Sequence, residues 1–421
     1  MKRFFSRFEG DKTIWALIVL LMLFSFMPVF SASTNLVHVV GTGGSTIGLL
    51  MKHFSHILIG LGIVYFVHKI PQKRIQFAST MAWVPVFFLL IITLIQKSMI
   101  GGANASRWLK IPIINITFQP SSIGWISIIL YLSWYLWWSE DKNHSFKLSS
   151  AYIWVPTMAI VGLVLPANLS TAAMILFMCG LVLFVGKYPI KYLARIGAGF
   201  IAMIAIVFLL AKAFPEITPS RFSTWVARID RFGAEGEDID RWQIDNAKIA
   251  IAQGELFGVG PGKSVQKNLL PQSSSDFIFA IIVEEYGFVG GFSIVMVYMI
   301  LLFRFLKVSA RAKTSFQKYM VFGLGFSIVF QALINVGVAV ELFPTTGQPL
   351  PLISSGGTSI WMTCLSLGLI LGVSRSEKEN REQEIANEIK KEEFRKLLEE
   401  QEKEREASGD SSNPLSVLLN K

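Results

Sequence analysis

The run IWALIVLLMLFSFMPVF, Ile14 to Phe30, decides the fold class. It carries no charge over a length close to that a helix needs to cross the hydrocarbon core of a bilayer. Working outward, runs of the same kind recur along the 421 residues, at roughly 14–31, 54–70, 79–96, 122–138, 151–167, 170–186, 193–213, 277–303, 319–341 and 350–373. Mean hydropathy is +0.51 and 16% of residues are charged, against about 25% in a soluble domain. In lipid a backbone must satisfy its own hydrogen bonds, which leaves helices or closed barrels. Barrel strands would read as short alternating segments instead. The sequence therefore predicts an all-α polytopic membrane protein with about ten transmembrane helices. A large extracytoplasmic loop, residues 214–276, separates helices 7 and 8. The first run has a basic start but no clear small-x-small cleavage site, so it reads as the first span. Cys179 and Cys364 sit inside apolar runs and read as small hydrophobes.

Charge orients the chain. With the N-terminus inside, the inner segments carry 17 Lys and Arg and the short outer loops 4. That bias places both termini in the cytoplasm and the long loop outside. Domain organisation follows: a cytoplasmic N-terminus over 1–13, a membrane domain over 14–373, and a charged cytoplasmic tail over 374–421. The tail holds nine Lys/Arg and thirteen Asp/Glu from 377 onward, with Ile385/Ile389 and Phe394/Leu397/Leu398 at helical spacings. The rest is strongly basic, which fits basic cytoplasmic loops and an anionic lipid or substrate. No basic patch interleaves with exposed aromatics in a soluble domain, so the reading contains no nucleic acid.

Carboxylates are absent between Asp11 and Glu140, between Asp141 and Glu216, and between Glu285 and Glu341. The middle of the membrane thus lacks an acid to carry protons, against an ion-coupled transporter. Acid–base chemistry has to sit on the outer side. There Asp276 is the last polar residue before the apolar run starting at Phe277. Two readings are open for it. It caps the next helix, with Ser274 and Ser275 as alternative caps, or its partial desolvation makes it a general base.

Other outer features carry similar pairs of readings. Gly258, Gly260 and Gly262, followed by Lys263 and Lys267, form either an ordinary turn or a backbone cradle for a diphosphate. Arg107-Trp108 reads as a phosphate ligand beside an interface anchor, or as an anchor alone. Pro344 to Ser359 is a polar, Gly-rich entry to the last span, and suggests a broken helix lining a cavity. Pro166 to Thr171 reads as a structural turn.

Taken in order, Gly102 to Trp108, Pro166 to Thr171, Trp242-Gln243, Gly258 to Lys267, Ser275 to Phe279, Glu284 to Gly287 and Pro344 to Ser359 resemble the motifs of the SEDS family (shape, elongation, division and sporulation). Within it the chain is most similar to the FtsW-type division proteins. The likeness runs from the first span to Arg375. It departs from the family pattern at Ser274-Ser275, where a His-Thr pair is usual, and at Asn168 and Ser170, which stand for an acid and a glycine.

The resemblance implies a peptidoglycan glycosyltransferase that polymerises lipid II at the outer membrane face during septal cell-wall synthesis. A lipid II flippase and a non-catalytic division scaffold are the alternatives. It implies Asp276 as catalytic base, with Arg107, Trp108, Lys263, Gln266, Lys267, Glu285, Ser354, Gly356 and Gly357 as substrate-binding residues. It leaves room for a divalent cation such as Mg2+ as cofactor, with no dedicated ligand cluster. Expected partners are lipid II, a class B penicillin-binding protein, other division proteins and membrane lipid. The expected location is the bacterial inner membrane, at the division septum.

Overall fold

The computed structural model describes residues 9–38, 46–95, 99–100, 103–104, 109–111, 116–140, 146–213, 239–270 and 273–408. The chain is a helical bundle. The helices are α1 (Lys12–His38), α2 (Thr46–Val67), α3 (Gln72–Ser79), α4 (Trp83–Ile95), α5 (Pro120–Trp138), α6 (Phe146–Val164), α7 (Leu169–Val185), α8 (Ile190–Ala213), α9 (Ile239–Gln253), α10 (Ile278–Ala310), α11 (Ser315–Ala339) and α12 (Gly357–Ser408). The apolar runs fall largely on these helices, the last of them only from Gly357 onward. Among the described residues seven are long and apolar enough to cross a membrane, or eight if the pair α3 and α4, bent by 53°, counts as one span. Among the described residues the strands form two short antiparallel ribbons, Met99–Ile100 with Ala103–Asn104 and Leu109–Ile111 with Ile116–Phe118.

Local sequence explains the helix ends. At α7 the Asn168 side chain accepts from the Thr171 amide at 3.2 Å, a capping bond. At α11 Thr314 and Gln317 form a reciprocal capping box. The polar, proline-rich stretch 340–356 forms no helix, and the last one starts only at Gly357. This matches the broken entry read from the sequence. The charged tail is helical too, but it is not separate: α12 runs without interruption through residue 373 into the tail.

Two apolar cores hold the bundle. One joins α1, α2, α10, α11 and α12 around residues such as Ile18, Ile57, Leu301, Leu324 and Leu367. The other joins α4 to α7 around Leu90, Leu132, Ile160 and Leu183. A smaller outer cluster seats α9 on α10 and α11 through Ala247, Ala250, Phe277, Ile281 and Val338. The part of the long loop from Ile239 onward is therefore packed on the bundle.

A charged clamp adds to that seating. Glu341 accepts from Lys248 Nζ at 2.5 Å and also pairs with Arg241, both on α9. The hydrogen bond from Lys248 holds its carboxyl below the usual range, against the opposing pull of burial. A depressed carboxylate stabilises the fold above its unfolded value and loses that contribution as pH falls through the folded one. Hydrogen exchange of the α9 amides should thus be slow at neutral pH and accelerate below about pH 4.5. Glu341→Gln should show the faster exchange at neutral pH already.

Candidate active site

Where α5, α7, α11 and the 344–359 segment meet, they enclose a cavity of about 290 Å³. Its wall contains Gln119, Trp125, Thr171, Asp276, Gln331 and Gln348, with Ser355, Gly356, Ser359, Thr363 and Ser366 following α12 inward. Asp276 is the only ionisable side chain in that wall among the described residues.

The backbone at Asp276 is held from two sides. Asn335, on α11, donates through Nδ2 to the carbonyl of Asp276 at 2.8 Å and to that of Gln348 at 2.8 Å. Ser354 accepts from the Leu350 amide at 2.8 Å and donates to the Ser275 carbonyl at 2.6 Å. The Ser355 amide donates to the Ser274 carbonyl at 2.9 Å. Gln348 in turn reaches Thr171 Oγ1 at 2.9 Å. The 274–276 and 348–355 segments are thus stitched together before any substrate arrives, the preorganisation that acid–base chemistry needs.

This geometry corrects the capping reading. The cap position of α10 falls on Phe277, which has no side-chain cap bond, so the helix begins after Asp276 and not on it. Ser274 and Ser275 are not the cap either.

The expected binding residues divide. Gly356 lines the cavity, and Gly357 opens α12 beside it. An added Cβ on Gly357 would lie 2.6 Å from His56 Nε2, so glycine is there for close packing. Lys263 is exposed on the loop and absent from the cavity wall. Arg107 and Trp108 lie outside the described residues.

Lys267, Glu285 and Ser354 are turned to internal contacts, whereas Gln266 is buried with its side-chain oxygen unpartnered. Lys267 is buried, and its Nζ donates to the Gly262 carbonyl at 2.6 Å and to Ser31 Oγ at 3.1 Å. Ser31 donates to Glu285. Glu284 accepts from the amides of Val265 at 2.8 Å and Gln266 at 3.2 Å, and from Ser264. A buried carboxylate ringed by donors costs little, and here Glu284 ties the glycine loop to α10 while Lys267 and Ser31 tie it to α1. A lysine near a glycine turn looks like a diphosphate ligand, but here the Gly262 carbonyl and Ser31 take the donors of Lys267 inside the protein.

Two residues of the site had no forewarning: Gln331 in the wall and Asn335, which holds the Asp276 backbone behind it. They stand one turn apart on α11, inside an apolar run, and that interruption is the signal that could have found them. Thr171 closes a turn whose sequence reads as structural; it also lines the cavity and accepts from Gln348.

No group of three or more His, Cys, Asp or Glu among the described residues is placed to hold a metal ion. The single carboxylate of the wall does not build a dedicated cation site, so no step is assigned to one.

A test of the stitching follows. Ser354→Ala removes an acceptor from a buried amide and a donor from the Ser275 carbonyl. It should cost about 1–3 kcal/mol of stability and lower kcat without raising KM, read from thermal unfolding beside steady-state kinetics.

Comparison with known proteins then decides the family. The model of the cell cycle proteins FtsW, RodA and SpoVE matches residues 11–379. The chain belongs to this family. Among FtsW relatives, a probable peptidoglycan glycosyltransferase FtsW of Enterococcus hirae is 30% identical over 402 residues, covering 91% of this chain and 98% of that protein. One of the same name from Xanthomonas oryzae pv. oryzae is 30% identical, covering 86% of this chain and 72% of that protein. Among solved structures, a chain of a peptidoglycan synthase complex coordinating polymerization and crosslinking superposes with a TM-score of 0.65 at 23% identity, over 87% of this chain and 98% of that one. The rod shape determining protein RodA of Thermus thermophilus gives 0.60 at 22%, over 87% and 97%. The bundle is therefore an FtsW/RodA fold, and the chain an integral membrane protein.

Proposed function

We propose that the chain is a peptidoglycan glycosyltransferase, and that Asp276 is its general base. The observation that carries the assignment is the cavity itself: one carboxylate in a wall otherwise made of amides, hydroxyls and apolar groups. Such a wall suits sugar hydroxyls and acetamido groups, and one base suffices for a single displacement. Asp276 accepts the proton of the acceptor hydroxyl as that oxygen attacks the anomeric carbon of the lipid-linked donor. The bond to the diphosphate breaks, undecaprenyl diphosphate leaves, and the anomeric carbon inverts. The first turn of α12 begins at Gly357, beside the wall, and its unpaired amides favour negative charge there. In this reading they share the leaving-group charge with Arg107, while Trp108 holds the lipid interface. Lys267 and Glu285 act by holding the loop.

The reading extends to lipid II as substrate and to a class B penicillin-binding protein and other division proteins as partners. It extends to the inner membrane at the septum, with both termini cytoplasmic and with 1–13, 14–373 and 374–421 as the three parts. A divalent cation such as Mg2+ would be held chiefly by the substrate's own phosphates.

The test is glycan formation from lipid II by the purified chain with its class B partner in lipid nanodiscs. Polymer supports the assignment. Absence of polymer from an intact complex, with lipid II crossing the bilayer in vesicles, would replace it with a flippase. Neither activity would leave a scaffold.

A further inference from the structure

The elbow between α2 and α3, at the cytoplasmic end of the bundle, holds a second group of polar side chains that catalysis does not use. His68 is fully buried. Its Nδ1 lies 3.2 Å from the Val64 carbonyl, which can only accept, so Nδ1 carries the proton. Nε2 is then a bare acceptor, buried, with no partner in the protein. One turn on, Gln72 is half-buried, and both its amide nitrogen and its amide oxygen lack partners. Its Nε2 lies against α12, 2.9 Å from where a Cβ on Gly372 would stand. A buried polar atom without a partner costs roughly 1–3 kcal/mol. Three of them on two neighbouring side chains call for a group that both donates and accepts.

The surroundings add a charge and a location. Arg375, on α12, is close enough to lower the basicity of His68, although burial is the larger cause. Arg375 also lies 3.7 Å from Glu9. Lys73 and Arg74 are exposed on α3, and Lys69 sits over the Tyr65 ring. At the same elbow Ile70, Phe77 and Met81 expose apolar side chains. A short helix with basic and apolar exposed residues, set at 53° to α4, suits the boundary between head groups and acyl chains.

We infer that this elbow is a binding site for an anionic phospholipid of the inner leaflet whose head group bears hydroxyls, as phosphatidylglycerol does. Arg375, Lys73 and Arg74 attract the phosphodiester. The glycerol hydroxyls donate to His68 Nε2 and Gln72 Oε1 and accept from Gln72 Nε2. An ammonium head group would stand among like charges, and a bare phosphomonoester has fewer protons to offer the two acceptors.

The experiment is native mass spectrometry of the full-length protein released from nanodiscs of mixed phosphatidylglycerol, phosphatidic acid, phosphatidylethanolamine and phosphatidylcholine. Wild type should retain phosphatidylglycerol at least threefold over each of the others. Gln72→Leu should bring phosphatidylglycerol down to the level of phosphatidic acid, and Lys73→Ala with Arg74→Ala should remove the preference for both anionic lipids. Gln72→Glu keeps the side-chain shape should the leucine variant misfold, and it should lose the bound lipid outright. Equal retention of phosphatidylglycerol and phosphatidic acid by wild type, or an unchanged preference in the Gln72 variants, would overturn the site and leave surface charge alone. Displacement by millimolar inorganic phosphate would reassign it to a free anion.

Discussion

Asp276→Asn is expected to lower glycan polymerisation by at least about 10²-fold, the loss typical for removing a positioned base. It should leave the protein folded. The substitution keeps the size and shape of the side chain. The bonds from Asn335 to the Asp276 carbonyl and from Ser354 to the Ser275 carbonyl are made to backbone and persist without the carboxylate. Because Phe277 takes the cap position, no helix cap is lost. Polymerisation of lipid II and thermal unfolding are measured on the same preparation. Full activity in the variant would remove Asp276 from the chemistry. Lost activity with a lowered unfolding temperature would point to a structural role.

The second large effect concerns the break in α10. Gly287 has φ +70° and ψ −172° inside the helix, and Gly258 has φ +80° in the loop facing it. An added Cβ at Gly258 would sit 2.3 Å from the Glu285 carbonyl oxygen, and one at Gly287 would sit 2.3 Å from that of Leu256. The two backbones touch. They are bonded from Val259 N to Glu284 O at 2.9 Å, Gly260 N to Glu285 O at 3.0 Å, Phe288 N to Glu255 O at 2.9 Å and Val289 N to Leu256 O at 3.2 Å. Any side chain must push the strands apart and also adopt a left-handed conformation, at about 1–2 kcal/mol for the backbone alone. Overpacking adds about 1–3 kcal/mol. Gly258→Ala and Gly287→Ala should each lower the unfolding temperature by several degrees and reduce membrane yield. The double variant should lose less than the sum, since the first change already opens the contact. Wild-type stability in either single variant would show that the loop and the helix break are not in contact.

The helical bundle was legible because lipid imposes one rule on the sequence: apolar for about twenty residues, then polar. Ile14–Phe30 alone says as much, and each later run repeats it. The position of Asp276 was legible for the same reason, since it marks a boundary between polar loop and apolar helix. Its surroundings were not. Asn335, Gln348 and Thr171 come to Asp276 from three separate parts of the chain, and pairing across such distances leaves no local pattern. Lys267 and Glu285 misled for the opposite reason. Charge next to glycine signals a ligand site only when the charge faces outward, and a sequence does not state where Ser31 will stand. The tail showed helical spacing, but its continuity with the last span was hidden because charge composition changes sharply at Glu377 while helix geometry does not.

That continuity has a mechanical consequence. A helix of 52 residues is about 78 Å long at 1.5 Å per residue. One end carries Gly357 and Ser359 at the cavity, and the other projects from the opposite side of the bundle. Held in a packed core, such a helix behaves as a lever whose outer arm, residues 374–408, is longer than the arm that reaches the cavity. A sideways pull on the far arm is felt as a tilt at the near end, smaller in displacement and greater in force.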